Sequence, residues 1–557
     1  MSGAAPFKYF AGGVNRVRSD AQRLAQSPTA LWAAIVLSLS GLAVFYRLFW
    51  TGMNACSTSD SAVVLLEAQD MLHGNLLLHG WYLPSANVLT LNAPLYVLAE
   101  AFWGLQPWLM QLVPEMVFLG LLVVGLLTSF KNKPLAARWV ATAYFLPIVG
   151  LQSVGRIVPW LLSGPNHTMT VAFCLAVLLI VDSTQSPPGM RRPNRPLAWL
   201  AVVLLVFLSV FGDPLALVIL VLPVIAYAFN EFVGSQASRG IRWALTGILT
   251  GAAVAWVARS CLRHVGGFVC AQTLEASFIR LRETPASFML TLAGLLKLFG
   301  ARIAGLPLNL VNLFLLARVV ALLVAVVAVV GTLVRWLRQK PVNRLDVFLS
   351  LSATMTVAAT FLSEQGLNSG VSQVHYLVPA FVCLVIVAAR SLGDWFLSGR
   401  TAARWIVILC VVLFISSRGL IAGWFRWEQE ASSTTMLAHW LEQHHLHQGF
   451  GVYWDSHIIT VETRQAVIVR PLADSLVAVR NWLSKKSWYD TRRHRYTFVI
   501  YDRRDPTAFP VPGRVYPLTK YGYLPPQISG AFGPPAHVYS MLHYEIAVWN
   551  HPIHFAK

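Results

Sequence analysis

Charge is scarce in this 557-residue chain: 12% of positions are Asp, Glu, Lys or Arg, and only 24 residues are acidic. A soluble domain carries roughly 25% charged residues, so a soluble enzyme is excluded. Cysteine is sparse too, at six residues, which excludes a disulfide scaffold. Cys174, Cys383 and Cys410 fall within apolar runs and read as packing residues, whereas the spacing of Cys261 and Cys270 permits a local disulfide that leaves Cys56 single. There is no Gly-rich phosphate loop, no Ser-centred nucleophile elbow, no recognisable nucleotide-sugar site and no internal repeat. The net charge of +19 would suggest nucleic acid in a soluble protein. Here it follows membrane topology, and no nucleic-acid partner is expected.

What the chain has in abundance is hydrophobic residues, 56% of the total. Eleven windows read as membrane spans, near 30–50, 107–130, 137–152, 160–181, 197–211, 214–232, 241–258, 315–335, 345–363, 375–397 and 404–424. The first is too long for a signal core and lacks a good processing site, so it is expected to be retained. Gly212-Asp213-Pro214 splits 197–232 into two short helices joined by a tight turn. With the N-terminus inside, alternate loops collect Lys131, Lys133, Arg138, Arg191, Arg192, Arg195, Arg239, Arg242, Arg335, Arg338, Lys340, Arg344, Arg390, Arg400 and Arg404. Residues 51–106, 211–214 and 364–374 hold no Lys or Arg. The positive-inside rule therefore places the N-terminus in the cytoplasm and the C-terminus outside.

One outside loop breaks that rule. Residues 259–305 contain Arg259, Arg263, Arg280, Arg282, Lys297 and Arg302, a cluster suited to an anionic group such as a phosphate. Arg47, Arg318 and Arg418 fall near outer helix ends, where they can grip phosphate or snorkel to lipid headgroups. Acidic residues on this side are few. The first outside loop, 51–106, includes a helix entered near Ser57, with Asp60 at its start and Glu67 further on. Asp60 there could cap the helix or act as a general base. Asp213 ranks second, and His167 and His375 are further contacts at outer helix ends. The 152–160 loop holds Arg156 and no acid, so no catalytic metal or other cofactor is expected.

From Phe425 the composition changes, with 14 Lys and Arg among 133 residues and no further span. Ser432 to His447 reads as a helix, and Gly451 to Asp455, Ala466 to Arg470, Tyr496 to Tyr501 and His543 to Asn550 as short strands. The expected architecture is an α-helical polytopic membrane domain over 1–424, followed by a small extracytoplasmic α/β domain over 425–557. The His439, His444, His445 and His447 group reads as a solvated helix face rather than a metal site.

Several phrases resemble the GT-C superfamily of integral-membrane glycosyltransferases, bacterial type. These are Asp60-Ser-Ala to Asn75 with His79-Gly-Trp81-Tyr-Leu-Pro84, then His375-Tyr-Leu-Val-Pro379-Ala, then Tyr453-Trp-Asp-Ser-His to Val467-Ile-Val. The resemblance implies an enzyme of the bacterial inner membrane, its active site facing the periplasm, that moves a sugar from a polyprenyl-phosphate carrier to a glycan, glycolipid or protein acceptor. It places the catalytic base at Asp60, implies inversion at the sugar, and assigns the basic loop and His375 to the leaving phosphate. A transporter or flippase of lipid-linked saccharides is the alternative. It accounts less readily for the C-terminal domain and for a first loop with acids and no bases.

Overall fold

The computed structural model describes residues 41, 58–151, 164, 166–184, 194–233, 239–271, 277–301, 303, 305–307, 309–364, 370–417, 432–473, 476–490, 492–503 and 526–554. The first expected span, Cys56, Arg156, Arg302 and Arg418 lie outside these residues, as does the side chain of Arg263.

The first loop, expected over 51–106, supplies α1 (Ser59–Leu72), strand β1 (Trp81–Leu83) and α2 (Ala93–Trp103). Each of the ten later apolar windows forms a helix. These are α3 (Leu109–Phe130), α4 (Leu135–Phe145, continued by a wide turn to Gly150), α5 (Thr168–Thr184), α6 (Arg195–Gly212), α7 (Leu222–Val233, preceded by a wide turn from Leu217) and α8 (Arg239–His264). After strand β2 (Val269–Cys270) and α9 (Thr284–Leu298) come α10 (Leu316–Leu337), α11 (Arg344–Leu362), α12 (Val378–Ser398) and α13 (Arg400–Ser416). Among the described residues six helices are long and apolar enough to cross a membrane, and the spans within 135–150, 168–184 and 217–233 are shorter apolar helices. The chain is a multi-pass membrane protein.

Helix α12 runs through the bundle centre, buried along almost its whole length, and packs on α3, α4, α10, α11 and α13. Small residues let helices approach: a methyl group on Gly251 of α8 would stand 2.6 Å from the Val203 carbonyl of α6. At one end of the bundle, Lys133 pairs with Asp394 at 2.7 Å and Lys131 with Asp182 at 4.0 Å. Arg390 pairs there with Asp346 and donates to the carbonyls of Thr128 and Lys131. Two of the basic segments counted as inside, those of Lys131 and of Arg390, are thus neutralised together.

Arg318 corrects the sequence reading. It is buried rather than interfacial, donating to Ser416 Oγ (2.9 Å), Ser417 Oγ (2.8 Å) and the carbonyl of Leu151 (2.9 Å). Its guanidinium pins α10 to α13 and to the end of the α4 segment, since a buried donor must find acceptors.

The stretch 259–305 is also more ordered than a loop. Arg259 and Arg263 stand on the last turns of α8, and α9 occupies Thr284–Leu298. Cys261 is exposed with a free thiol, so the Cys261–Cys270 disulfide allowed by the spacing does not form.

The C-terminal domain begins with α14 (Ser433–Gln443), then β3 (Gln448–Gly451), α15 (Tyr453–Glu462) and β4 (Ile468–Pro471). Strands β5 (Ser484–Lys485), β6 (Phe498–Asp502), β7 (His537–Met541) and β8 (Tyr544–Val548) follow. The main sheet has the order β4-β3-β6-β8-β7, with β3 parallel to both β4 and β6 and the remaining pairs antiparallel. The expected strand from Gly451 to Asp455 is a helix instead: β3 stops at Gly451, and Tyr453 opens the crossover α15 that the parallel β3–β4 pair requires.

A second, three-stranded sheet, β2-β1-β5, takes one strand each from the 259–305 stretch, the first outside loop and the C-terminal domain. These three segments therefore share one end of the molecule, opposite in the alternation to the Lys133–Asp394 end.

Candidate active site

Helix α1 opens the site. Its N-cap is Thr58, whose hydroxyl accepts from the Ser61 amide at 3.1 Å, so Asp60 is not the cap. Released from that role, half-buried Asp60 turns from the first turn toward the C-terminal domain, where Tyr453 Oη donates to its Oδ1 at 2.6 Å. Oδ2 takes no hydrogen bond from the described residues. Burial raises the Asp60 pKa, against the pull of the Tyr453 hydrogen bond and the Arg480 charge. Burial and the neighbouring Asp60 carboxylate push the Tyr453 phenol well up, so it stays a neutral donor.

The C-terminal domain grips α1 at both ends. Ser59 Oγ donates to the Tyr453 carbonyl and lies 3.1 Å from His457 Nδ1. At the far end Lys485 pairs with Asp70 at 2.7 Å, and Trp81 Nε1 donates to the same carboxylate at 2.7 Å. Behind Tyr453, the Arg480 guanidinium stands 4.7 Å from the Tyr453 ring centre and 4.9 Å from that of Trp482. Arg470 stands 4.0 Å over Trp488, whose ring meets Trp81 edge-on at 4.9 Å.

Glu67, two turns along α1, is 1% exposed, and neither carboxyl oxygen has a partner among the described residues. Burial alone raises its pKa well above the usual range, which favours the uncharged acid.

A second polar cluster lies under the first loop. Gly212 ends α6 where a methyl group would stand 2.8 Å from both the Leu91 side chain and Thr90 Oγ1, and its carbonyl accepts from Val88 at 3.2 Å. The breaker Gly212-Asp213-Pro214 thus makes the expected turn and brings the loop down onto it. Asp213 is buried. Its Oδ2 meets His167 Nδ1 and Thr170 Oγ1, both at 2.7 Å, and its Oδ1 accepts from the Leu215 amide at 3.0 Å. His167 is itself buried, its Nδ1 committed to this carboxylate. His375 stacks on His167 at 5.6 Å, with Tyr376 beside both. Three candidates from separate parts of the sequence are therefore joined: Asp213, His167 and His375.

The basic candidates are spread over several elements. Half-buried Arg259 donates to the Ser85 carbonyl, tying α8 to the first loop. Arg280 and Arg282 are exposed around the Leu281–Glu283 turn, with Arg282 3.8 Å from Glu283, and Lys297 sits in the last turn of α9. Tyr453, His457, Arg470 and Arg480 were not singled out from the sequence. The one available signal was the Tyr453-Trp-Asp-Ser-His phrase itself, with an acid and a histidine inside an aromatic run.

No protein-family model and no curated protein matches the sequence. Solved structures do. ArnT from Cupriavidus metallidurans bound to undecaprenyl phosphate aligns at TM-score 0.51 with 11% identity, covering 94% of this chain and 98% of that one. The same enzyme in its apo state aligns at 0.50 with 13% identity, over 94% and 98% of the two chains. The likeness runs through membrane helices and C-terminal region alike, so the chain shares the fold of that enzyme.

Proposed function

We propose that this chain is an inverting glycosyltransferase that moves a sugar from a polyprenyl-phosphate carrier onto an acceptor hydroxyl, with Asp60 as general base. The carrying observation is the Asp60 carboxylate, fixed through Oδ1 by Tyr453 with Oδ2 left to a ligand. A base needs this arrangement: orientation by a neutral donor, one oxygen unencumbered, and a pKa raised toward neutrality. Asp60 Oδ2 takes the acceptor hydroxyl proton as that oxygen bonds to the anomeric carbon. The bond from that carbon to the carrier oxygen breaks on the opposite face, its electron pair leaving with the lipid phosphate. Undecaprenyl phosphate, bound to the ArnT that shares this fold, is the carrier chemistry proposed here.

Charge growing on the leaving phosphate calls for preorganised cations. Arg259, Arg263, Arg280, Arg282, Lys297 and Arg302 belong to the stretch that shares a sheet with the first loop, and we assign them to the headgroup end of the carrier. Asp213 orients His167, which with His375 offers ring nitrogens to the same phosphate or to the sugar. Glu67, neutral and buried, contributes to substrate binding as a proton donor rather than as a charge. The end bearing the first loop and the C-terminal domain is the outer, periplasmic face of the inner membrane.

The test is native mass spectrometry and lipid extraction of the protein purified gently from its membrane. A copurified polyprenyl phosphate, free or glycosylated, is the expected result. Bulk phospholipid alone, under conditions in which a control carrier-binding protein keeps its lipid, contradicts the reading.

A further inference from the structure

The C-terminal domain buries more cationic surface than its contacts satisfy. Arg470 is 8% exposed, and its Nε and Nη1 meet no hydrogen-bond acceptor among the described residues. No carboxylate lies within ion-pair distance of it there. A buried guanidinium held only by the face of Trp488 and neighbouring phenols retains most of the cost of losing water. His457, fully buried, is bounded by the same group of rings: 5.8 Å from Trp488 and 5.2 Å from Tyr453. Burial, joined by the Arg470 and Arg480 charges, holds it well below the usual histidine range.

Its tautomer follows from one proton count. Ser59 Oγ spends its single hydrogen on the Tyr453 carbonyl, so His457 Nδ1–H must donate to Ser59 Oγ. Nε2 is then a buried acceptor, and it has no donor among the described residues. The bare acceptor on His457 lies one residue's contact from Asp60, through Tyr453 and Ser59, and the bare N–H groups belong to Arg470, which shares the Trp488 ring with His457. Unpaired buried donors and acceptors of this kind mark a place for a ligand.

We propose that this is an anion subsite within the catalytic centre, in which Arg470 receives an oxyanion of phosphate or carboxylate class and His457 Nε2 accepts a hydroxyl of the same ligand. Arg480, over Tyr453 and Trp482, sets the positive field around it. The subsite rests on the reading of Asp60 as the base of a sugar transfer only for the identity of the ligand: the carrier phosphate, or an anionic group on the acceptor. It is distinct from the basic residues of 259–305, which lie on other elements.

The test measures binding of inorganic phosphate and of a short-chain polyprenyl phosphate, citronellyl phosphate, to the full-length detergent-purified protein at fixed ionic strength. It compares wild type with Asp60→Asn, Arg470→Gln, Arg470→Lys and Arg480→Gln. Loss of the charged fork should weaken the anion about tenfold or more in Arg470→Gln and less in Arg470→Lys, while Asp60→Asn keeps its affinity. If Arg470→Gln does not fold, Arg470→Lys and Arg480→Gln carry the comparison. Lipid phosphate binding that depends on Arg470 makes the carrier the ligand. Inorganic phosphate binding that depends on Arg470, without lipid phosphate binding, keeps the subsite, assigns it to the acceptor side and removes the lipid-carrier reading. Lipid phosphate binding equal in wild type and all arginine variants overturns the subsite and leaves the carrier reading standing. If neither probe binds, both readings are overturned.

Discussion

Asp60 and Glu67 lie on one helix, and burial raises the pKa of both, further for Glu67. Asp60 has Tyr453 and the Arg480 field to hold part of its charge, whereas Glu67 has neither donor nor cation. Removing the Tyr453 hydroxyl takes away a bond that lowers the Asp60 pKa. In Tyr453→Phe the acid limb of the pH–rate profile should therefore move to higher pH, with turnover at neutral pH falling by roughly tenfold. A limb that stays put separates Tyr453 from the base. Glu67 works in the other direction. Its folded pKa is raised, so the protein is penalised increasingly as pH rises from the ordinary glutamate range of about 4.3 toward the folded value. Glu67→Gln should melt higher than wild type at pH 7, and the gain should vanish near pH 4 in thermal scans. Equal melting at both pH values would return Glu67 to an ionised, hydrated state.

At the scale of elements, the sequence carried the local features well. Apolar length placed α3 to α8 and α10 to α13, and the Gly212-Asp213-Pro214 breaker placed the turn that positions Asp213. It misled where local pattern and long-range packing diverge. Tyr453-Trp-Asp455 follows β3 in an aromatic run that favours a strand, but a parallel β3–β4 pair needs a crossover, and the helix it forms turns Tyr453 onto Asp60. Arg470 and Arg480 could not be read as site residues, because they reach α1 only through packing of segments about 400 positions apart. Counting outer-loop charges pointed to 259–305 instead, where much of the stretch is helix and strand. The close approach at Gly212 is testable on its own: Gly212→Val sets side-chain atoms against Thr90 and Leu91 and should cost about 1–3 kcal/mol. Thermal stability in detergent reads this directly, and an unchanged melting temperature would mean that the first loop rests elsewhere.

For the whole molecule, the sheet β2-β1-β5 unites three segments at one end, and the Lys133, Arg390 and Asp394 groups gather at the other. That separation matches the charge alternation and fixes which parts face the same compartment. Exposed Cys261, near the end of α8 that leads into this sheet, gives a probe. In a variant with Cys261 as its only cysteine, a membrane-impermeant maleimide should label intact spheroplasts. Labelling only after the membrane is opened would reverse the orientation and put the catalytic end in the cytoplasm.

The central claim joins fold to chemistry at one carboxylate, so the most direct measurement is single-turnover sugar transfer by Asp60→Asn, with polyprenyl-phosphate sugars and acceptors from host membranes. Asn preserves the shape and can still accept from Tyr453, but it cannot take the acceptor proton. Transfer should fall by about 10²–10⁴-fold while carrier binding and melting temperature hold. Transfer near the wild-type rate would remove Asp60 from the base role and with it the mechanism built on this site.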